Sequence, residues 1–408
     1  MIAFIHARVI DGTGTARRED TTILIDEGKI KRMGSDIPVP SGSITIDATG
    51  KTIIPGLIDA HTHLSGSSLF TRPALCNAND SYDFAEGREG CLRWGVTTVR
   101  TCGDMADDML GFVKRQREGV ALPGPRVISC GPLFQAKGGH PYYTVWEGNQ
   151  EIFDKAVICL DDDSDVEAEV DQVIDKGVDF VKTFFGHVDR TKGGKSVPRL
   201  SRDVNERIVK QAHRRGKKVC CHVDCVDEMV AAAEMGMDSI EHCVNVGSAN
   251  NQLTDDMVAA IKASKAILDP TIVALKPWED FLRFQNSNRE YNIRLTKRMF
   301  DAGVPLAIGC DSGIPMVPFG ESVHEEMANF VSAGLDPITV IGIATRGNAE
   351  LLGVSDITGS LEEGKQADLV MLSANPLADI ANTKRIEIVV HNGALVGNGI
   401  QPEYVKLF

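Results

Sequence analysis

Ile54-Pro55-Gly56-Leu57-Ile58-Asp59-Ala60-His61-Thr62-His63-Leu64 is a short apolar run that stops at two histidines one residue apart. On a β-strand, side chains alternate faces with a period of two, so His61 and His63 point the same way and can hold one metal ion together. Whether they do depends on partners supplied from elsewhere in the chain.

Outward from this stretch, short apolar strands alternate with helical stretches from Ile53 to about Gly353, the pattern of a parallel sheet with crossover helices. The strands expected are Leu57–His63, Thr97–Cys102, Arg126–Cys130, Phe180–Phe184, Lys218–His222, Ser239–Cys243, Ile267–Thr271 and Leu306–Asp311. Val166–Lys176 and Val204–Arg215 are expected helices, with apolar residues at three- and four-residue spacing. Eight parallel strands closed by helices make a (β/α)8 TIM barrel. An open doubly wound sheet is the alternative, but it predicts a ligand site at one switch point rather than polar residues at nearly every strand end. Before the barrel, Thr22-Ile23-Leu24-Ile25 and the turn Asp26-Glu27-Gly28-Lys29 read as short strands and turns. After it, Leu369-Val370-Met371-Leu372 and Arg385–Gly393, which runs into an Asn392-Gly393 turn, read the same way. Both ends are therefore expected to build one small β-sandwich from residues 1–53 and 354–408, with the barrel, residues 54–353, inserted between them.

The chain has 408 residues, a net charge of −14 and a pI near 5.2. This argues against nucleic-acid or anionic-membrane partners, which want clustered Lys and Arg. No run reaches the roughly 18 apolar residues of a membrane span. The N-terminus lacks the charged leader and apolar segment of a secretory signal. The ten cysteines are scattered, as reduced thiols in a cytoplasmic protein would be. Cys220, Cys221 and Cys225 lack the paired spacing of a structural zinc site and read as small buried hydrophobes. Asp161-Asp162-Asp163-Ser164-Asp165 reads as a solvated loop before a helix, with carboxylates favourably near the helix N-terminus.

Catalytic groups of such barrels sit where the strands finish. The first strand ends in His61 and His63, the fourth holds Lys182, the fifth ends in His222, the sixth in His242 and the eighth in Asp311. Each has an ordinary alternative: a hydrogen-bonded histidine, a Lys182 paired with Asp179, an Asp311 that caps a turn. Their joint occurrence in order around one ring argues against those alternatives. Imidazoles and carboxylates suit zinc, whose bound water supplies hydroxide near neutral pH. A lysine among such cations makes sense if CO2 converts it to a carbamate, an anion able to bridge two metals. Asp311 can be both ligand and proton acceptor, passing the proton to a leaving amine.

These motifs resemble the amidohydrolase superfamily, in its imidazolonepropionase-like and dipeptidase-like branch with a carboxylated lysine. They are Pro55-Gly56-Leu57-Ile58-Asp59-Ala60-His61-Thr62-His63-Leu64, Val178–Lys182, Val219–His222, Ser239-Ile240-Glu241-His242, Gly309-Cys310-Asp311-Ser312-Gly313 and the trailing Gly364–Val370. The resemblance implies that His61, His63 and Asp311 hold one divalent metal, His222 and His242 the other, and carboxylated Lys182 bridges them. It implies hydrolysis of an amide or peptide C–N bond in a small molecule such as a dipeptide or N-acyl amino acid. A mononuclear deaminase or cyclic-amide hydrolase is the second enzyme reading, and a non-catalytic relative that assembles with partners is the third. Assembly into a homo-oligomer is left open. Substrate choice belongs to the loops, where bulky Thr183–Arg190 stands in place of the glycine-rich loop of similar peptidases. His140, in a Gly138-Gly139-His140 loop, and more weakly His187 and Arg190, are the expected substrate contacts.

Overall fold

The computed structural model describes residues 1–14, 17–65, 84–120, 123–145, 150–189, 195–242, 252–276, 289–397 and 404–405. The architecture is mixed α/β. The strands Leu57–Thr62, Val96–Thr101 and Arg126–Ser129 form one parallel sheet. A second parallel sheet runs in the order Val157–Leu160, Leu133–Ala136, Val181–Phe184, Val219–His222, Ser239–Glu241, Ile267–Asp269. All six residues of Val96–Thr101 are buried. Burial on both faces explains why these strands read as runs of apolar and small residues without alternation.

Two strands of the second sheet, Leu133–Ala136 and Val157–Leu160, were not expected. The eighth expected strand, Leu306–Asp311, also differs. It makes only single bridges, Leu306 to Leu268 and Ser312 to Thr62. Side chains take the place of its ladder. Asn348 Oδ1 accepts from Ile308 N at 3.1 Å, Asp269 Oδ1 from Gly309 N at 2.9 Å, and Asp59 Oδ1 from Cys310 N at 3.0 Å. The remaining backbone bonds run both ways: Ala307 N donates to Leu268 O, while Asp311 N donates to His61 O and His63 N to Ser312 O. The last parallel segment is thereby bonded to the first strand.

Helices cover the outside. Arg202–Arg214 starts on Ser201, whose hydroxyl accepts from Val204 N, and buries Val204, Ile208, Val209 and Ala212. Val166–Asp175 starts on Asp165, which accepts from Ala168 N. Asp161 meanwhile accepts from Asp163 N and the Ser164 hydroxyl. The acidic stretch is thus a turn and a helix cap.

The chain ends meet in one nine-stranded sheet. Thr52–Pro55 pairs in parallel with Ile2–Ile10 and antiparallel with Leu369–Leu372, so it is the seam between the two ends. Ile2–Ile10 forks the sheet, pairing first with Ile44–Asp47 and then with Thr52–Pro55. Asn392 and Gly393, at φ 51° and 76°, make the expected tight turn between Ile386–His391 and Ala394–Val396. Phe4, Val9, Ile23, Ile25, Ile30, Ile53, Leu369 and Val390 form its separate apolar core.

A candidate metal centre at the strand ends

The first strand delivers His61 and His63 to one place, as the period of two requires. Their ring centroids lie 5.5 Å apart. His61 Nδ1 donates to Glu241 Oε2 at 2.7 Å and His63 Nδ1 donates to the Gly103 carbonyl at 2.6 Å. Both Nε2 atoms then face Asp311 Oδ1, at 3.6 Å and 3.0 Å. A protonated His63 donates to Asp311 at this distance, whereas a bare imidazole lone pair facing the carboxylate oxygen is repulsive unless a cation lies between them. Burial, helped by the Lys182 charge, pulls the His61 pKa down to about 4. Burial and neighbouring His222 bring His242 well below the usual histidine range. Burial opposes charge on Asp311 as well, but His242 and His63 outweigh it and hold its carboxyl well below the usual range. His63 goes the other way: burial lowers its pKa, but the hydrogen bond to Asp311 and that carboxylate's charge outweigh it and leave it raised. A neutral His61 and His242 beside an ionised Asp311 are the protonation states a divalent ion requires.

His242 joins from the sixth expected strand. His61, His242 and Asp311 each offer a ligand atom within 4.8 Å of the other two. The His242 ring lies 4.7 Å from His61 and 4.6 Å from His222. Its Nδ1 sits 2.8 Å from Thr271 Oγ1. His222 places Nε2 3.3 Å from Asp224 Oδ1 and stacks on Phe184, centroids 4.8 Å apart. Gly186 makes this possible: a Cβ there would fall 2.4 Å from Asp224 Oδ2 and 2.7 Å from the His222 ring.

Lys182 is 1% exposed, and its Nζ has no hydrogen-bond partner among the described residues. The alternative pairing with Asp179 is excluded, because Asp179 binds Arg117 and accepts from Ser129 N. Burial works against the Lys182 ammonium, whereas Cys220, Cys102 and Glu241 favour it and leave its pKa above the ordinary lysine value. An unpaired buried ammonium is costly, so the amine calls for a partner or a change of charge. His61, His63, His222, His242 and Asp311 thus lie side by side, with Lys182 near enough for its charge to act on His61 and His242, and the chemistry of these side chains fits divalent metal.

Several buried residues around them escaped sequence reasoning. Glu241 accepts from Arg100, Ser239 and His61. Cys220, expected as apolar filling, is buried but directs its thiol to Glu241 Oε1 at 3.1 Å. Asp59 accepts from His61 N, Cys310 N and the Ser312 hydroxyl, and burial raises its pKa to about 7. Gly309 leaves no room for a side chain, since a Cβ would lie 2.1 Å from Asp269 Oδ2 and 2.7 Å from His61 Cβ. The available signal was a charged residue inside an otherwise uncharged parallel strand, true of both Arg100 and Glu241. His242 and Asp311 have φ of 74° and 57°, a left-handed backbone costly for His and better tolerated by Asp.

His140 reaches the rim of this cluster: its ring lies 4.6 Å from His222, and Nδ1 is 2.5 Å from Thr144 Oγ1. His187 is held apart from the histidines, its Nδ1 on Glu228 Oε1, which also accepts from Arg199. It lines a groove of about 680 Å³ with Phe185, Arg199, Cys225 and Glu228. Arg190 lies outside the described residues.

Strand ends that bring buried histidines and an aspartate together, with His61, His242 and Asp311 spaced to share one ion, make a candidate metal centre. The chain belongs to the amidohydrolase family, whose model matches residues 52–396. It is a hydrolytic enzyme acting on C–N bonds. It is similar to the ochratoxinase of Aspergillus niger, 24% identical with 98% of this chain and 88% of the relative covered. It is also similar to the imidazolonepropionase of Alkaliphilus metalliredigens, 24% identical over 93% of this chain and 90% of that one. A Xaa-Pro dipeptidase structure with bound methionine shares the fold, at TM-score 0.80 and 23% identity, covering 97% of this chain and 99% of the other. Among the described residues, no helix is long and apolar enough to cross a membrane.

Proposed function

We propose that this protein is a binuclear metal hydrolase that cleaves an amide or peptide bond in a small molecule of the dipeptide or N-acyl amino acid kind. His61, His63 and Asp311 would hold one divalent ion, His222 and His242 the other, with zinc the metal best matched to the donors. Lys182 carries the reading: its Nζ is buried, has no hydrogen-bond partner among the described residues, and lies near enough to His61 and His242 for its charge to act on both. A second cation in this pocket is incompatible with an ammonium at Lys182. As a CO2-derived carbamate the same side chain becomes an anion able to bridge. Bound divalent ions would supply Lewis-acid activation of the scissile carbonyl and of water.

The chain's own residues do the rest. Asp311 accepts a proton from the attacking water and returns it to the leaving amine. His140, on the rim beside His222, contacts the substrate, with His187 and Arg190 as weaker contacts. The parallel strands close as a (β/α)8 barrel over residues 54–353, with residues 1–53 and 354–408 forming the β-sandwich. The bond from the last parallel segment back to the first strand supports this closure. The similarity to a Xaa-Pro dipeptidase favours a peptide bond. A cytoplasmic enzyme with small-molecule substrates is the setting proposed.

One observation favours the second reading, a mononuclear deaminase. His61, His242 and Asp311 lie close enough together to serve a single ion. Metal analysis of the purified protein together with a dipeptide and N-acyl amino acid screen decides between them. Two ions per chain, activity lost to a chelator and restored by zinc, and a 13C carbamate signal from labelled bicarbonate are expected. Full activity in Lys182→Ala overturns the bridging role, and one ion per chain with release of ammonia overturns the binuclear reading.

A further inference from the structure

Glu241 and Arg100 lie beneath the pocket and touch no expected substrate position. Arg100 is 3% exposed, Glu241 0% and His61 1%. Arg100 Nη2 donates to both Glu241 oxygens, at 2.9 and 3.0 Å, and Nη1 to Ser239 Oγ at 2.9 Å. Its Nε donates to the carbonyl of Ala60, the residue before His61. Glu241 Oε2 in turn takes the His61 Nδ1 proton at 2.7 Å. One guanidinium therefore ties together the strands Leu57–Thr62, Val96–Thr101 and Ser239–Glu241 at the point where His61 leaves the first of them.

A buried ion pair of this kind is a poor source of stability, since apolar replacements of similar volume are often as stable or more so. What apolar side chains cannot do is hold a proton on Nδ1 and leave the Nε2 lone pair facing Asp311. The other histidines are held differently. His63 leans on a backbone carbonyl, His242 on a threonine hydroxyl, and His222 on Asp224 at a longer 3.3 Å. Among the described residues, His61 alone of the four rests on a carboxylate that is itself clamped by arginine.

We infer that Arg100 and Glu241 are positioning residues for His61, and that they make the ion held by His61, His63 and Asp311 the more tightly bound of the two. The inference rests on the binuclear reading. A carboxylate behind an imidazole fixes its tautomer and strengthens its free nitrogen as a donor, and loss of such a partner typically weakens metal binding about 10- to 100-fold.

The test is equilibrium dialysis of the zinc-loaded full chain against graded chelator, with metal per chain and melting temperature measured together. Glu241→Gln keeps the shape and an acceptor but removes the charge. It should lose the ion held by His61, His63 and Asp311 at about 10- to 100-fold lower chelator strength than wild type, a larger loss than the lower metal-free melting temperature caused by leaving Arg100 without its counter-charge accounts for. Arg100→Lys, which keeps charge but not the two-pronged clamp, should shift in the same direction by less, and it decides the matter if Glu241→Gln does not fold. Wild-type metal affinity in both variants overturns the inference, as does a loss of affinity that merely follows a fall in metal-free stability. His61→Ala separates the two levels. If it too binds two ions with wild-type affinity, the assignment of His61 as a ligand fails and the proposed ligand set with it; if it loses an ion while the Glu241 and Arg100 variants do not, only the positioning role fails.

Discussion

Asp311 combines three properties seldom found in one residue. It is buried, its carboxyl stays ionised against that burial, and its backbone sits at φ 57°. Asn and Asp are the side chains that tolerate a left-handed backbone best. Asp311→Asn should therefore fold normally, which makes it a clean probe of chemistry. Loss of the proton acceptor predicts a fall in kcat of roughly 10²- to 10⁴-fold, with the melting temperature of the metal-free protein held within a degree or two. Steady-state kinetics beside calorimetry checks both halves. An activity loss that is fully explained by unfolding would count against Asp311 as the proton carrier. At this scale the sequence was informative about candidate ligands, because histidines at strand ends are recognisable by position. It was silent about Glu241 and Arg100. Their role appears only when strands from distant parts of the chain lie side by side, although Glu241 is the immediate neighbour of His242.

The segment from Leu306 to Ser312 shows what an element can conceal. Its apolar text, Leu306-Ala307-Ile308-Gly309-Cys310, reads as a strand, and it occupies a strand's place. The N–H groups of Ile308, Gly309 and Cys310 are bonded instead by Asn348, Asp269 and Asp59, which stand 40, 40 and 251 residues away in the chain. No local pattern announces such partners. Asn348 also donates through Nδ2 to the carbonyls of Ile58 and Ile308, at 2.7 and 2.8 Å, and so bridges the first and last parallel segments. Asn348→Ala takes this partner from Ile308 N and from the Ile58 carbonyl, while the Ile308 carbonyl keeps Ala60 N, and each buried group left unpaired costs about 1–3 kcal/mol. A loss of several kcal/mol by urea unfolding is expected. Gly309→Ala has the opposite fault. Its methyl must displace Asp269 or His61, so it should cost about 1–3 kcal/mol by overpacking and also weaken metal retention. A Gly309→Ala protein with native stability and full metal content would show that the contact is not needed.

At the scale of the molecule, His324 joins the two ends of the architecture. It lies on the helix Glu321–Ser332, with Nε2 donating to the Trp94 carbonyl at 3.0 Å and Nδ1 2.9 Å from Thr383 Oγ1 in the C-terminal region. Burial pulls its pKa from 6.5 down to about 4. The unfolded chain therefore takes up a proton at a pH where the folded chain refuses it. The stability contributed by neutral His324 is complete above pH 6.5 and is lost as pH falls towards 4, by up to roughly 3 kcal/mol. His324→Gln should flatten that part of the profile, as denaturant unfolding at pH 7, 6 and 5 would reveal. An unchanged slope would remove His324 from the account. Chain order alone was enough to expect parallel strands with polar ends, two chain ends sharing a sheet, and candidate residues at the strand ends, because period and punctuation are local properties of the text. The His61–His63 pair is legible for the same reason: two residues on one face of a strand need no third element to be brought together. What packing decided is everything that depends on who lies beside whom. The clamp of Arg100 on Glu241, the side chains that replace a ladder at Ile308–Cys310 and the isolation of Lys182 Nζ all arise between segments far apart in sequence. Burial, which only the assembled fold confers, then sets the charge that each of these groups carries.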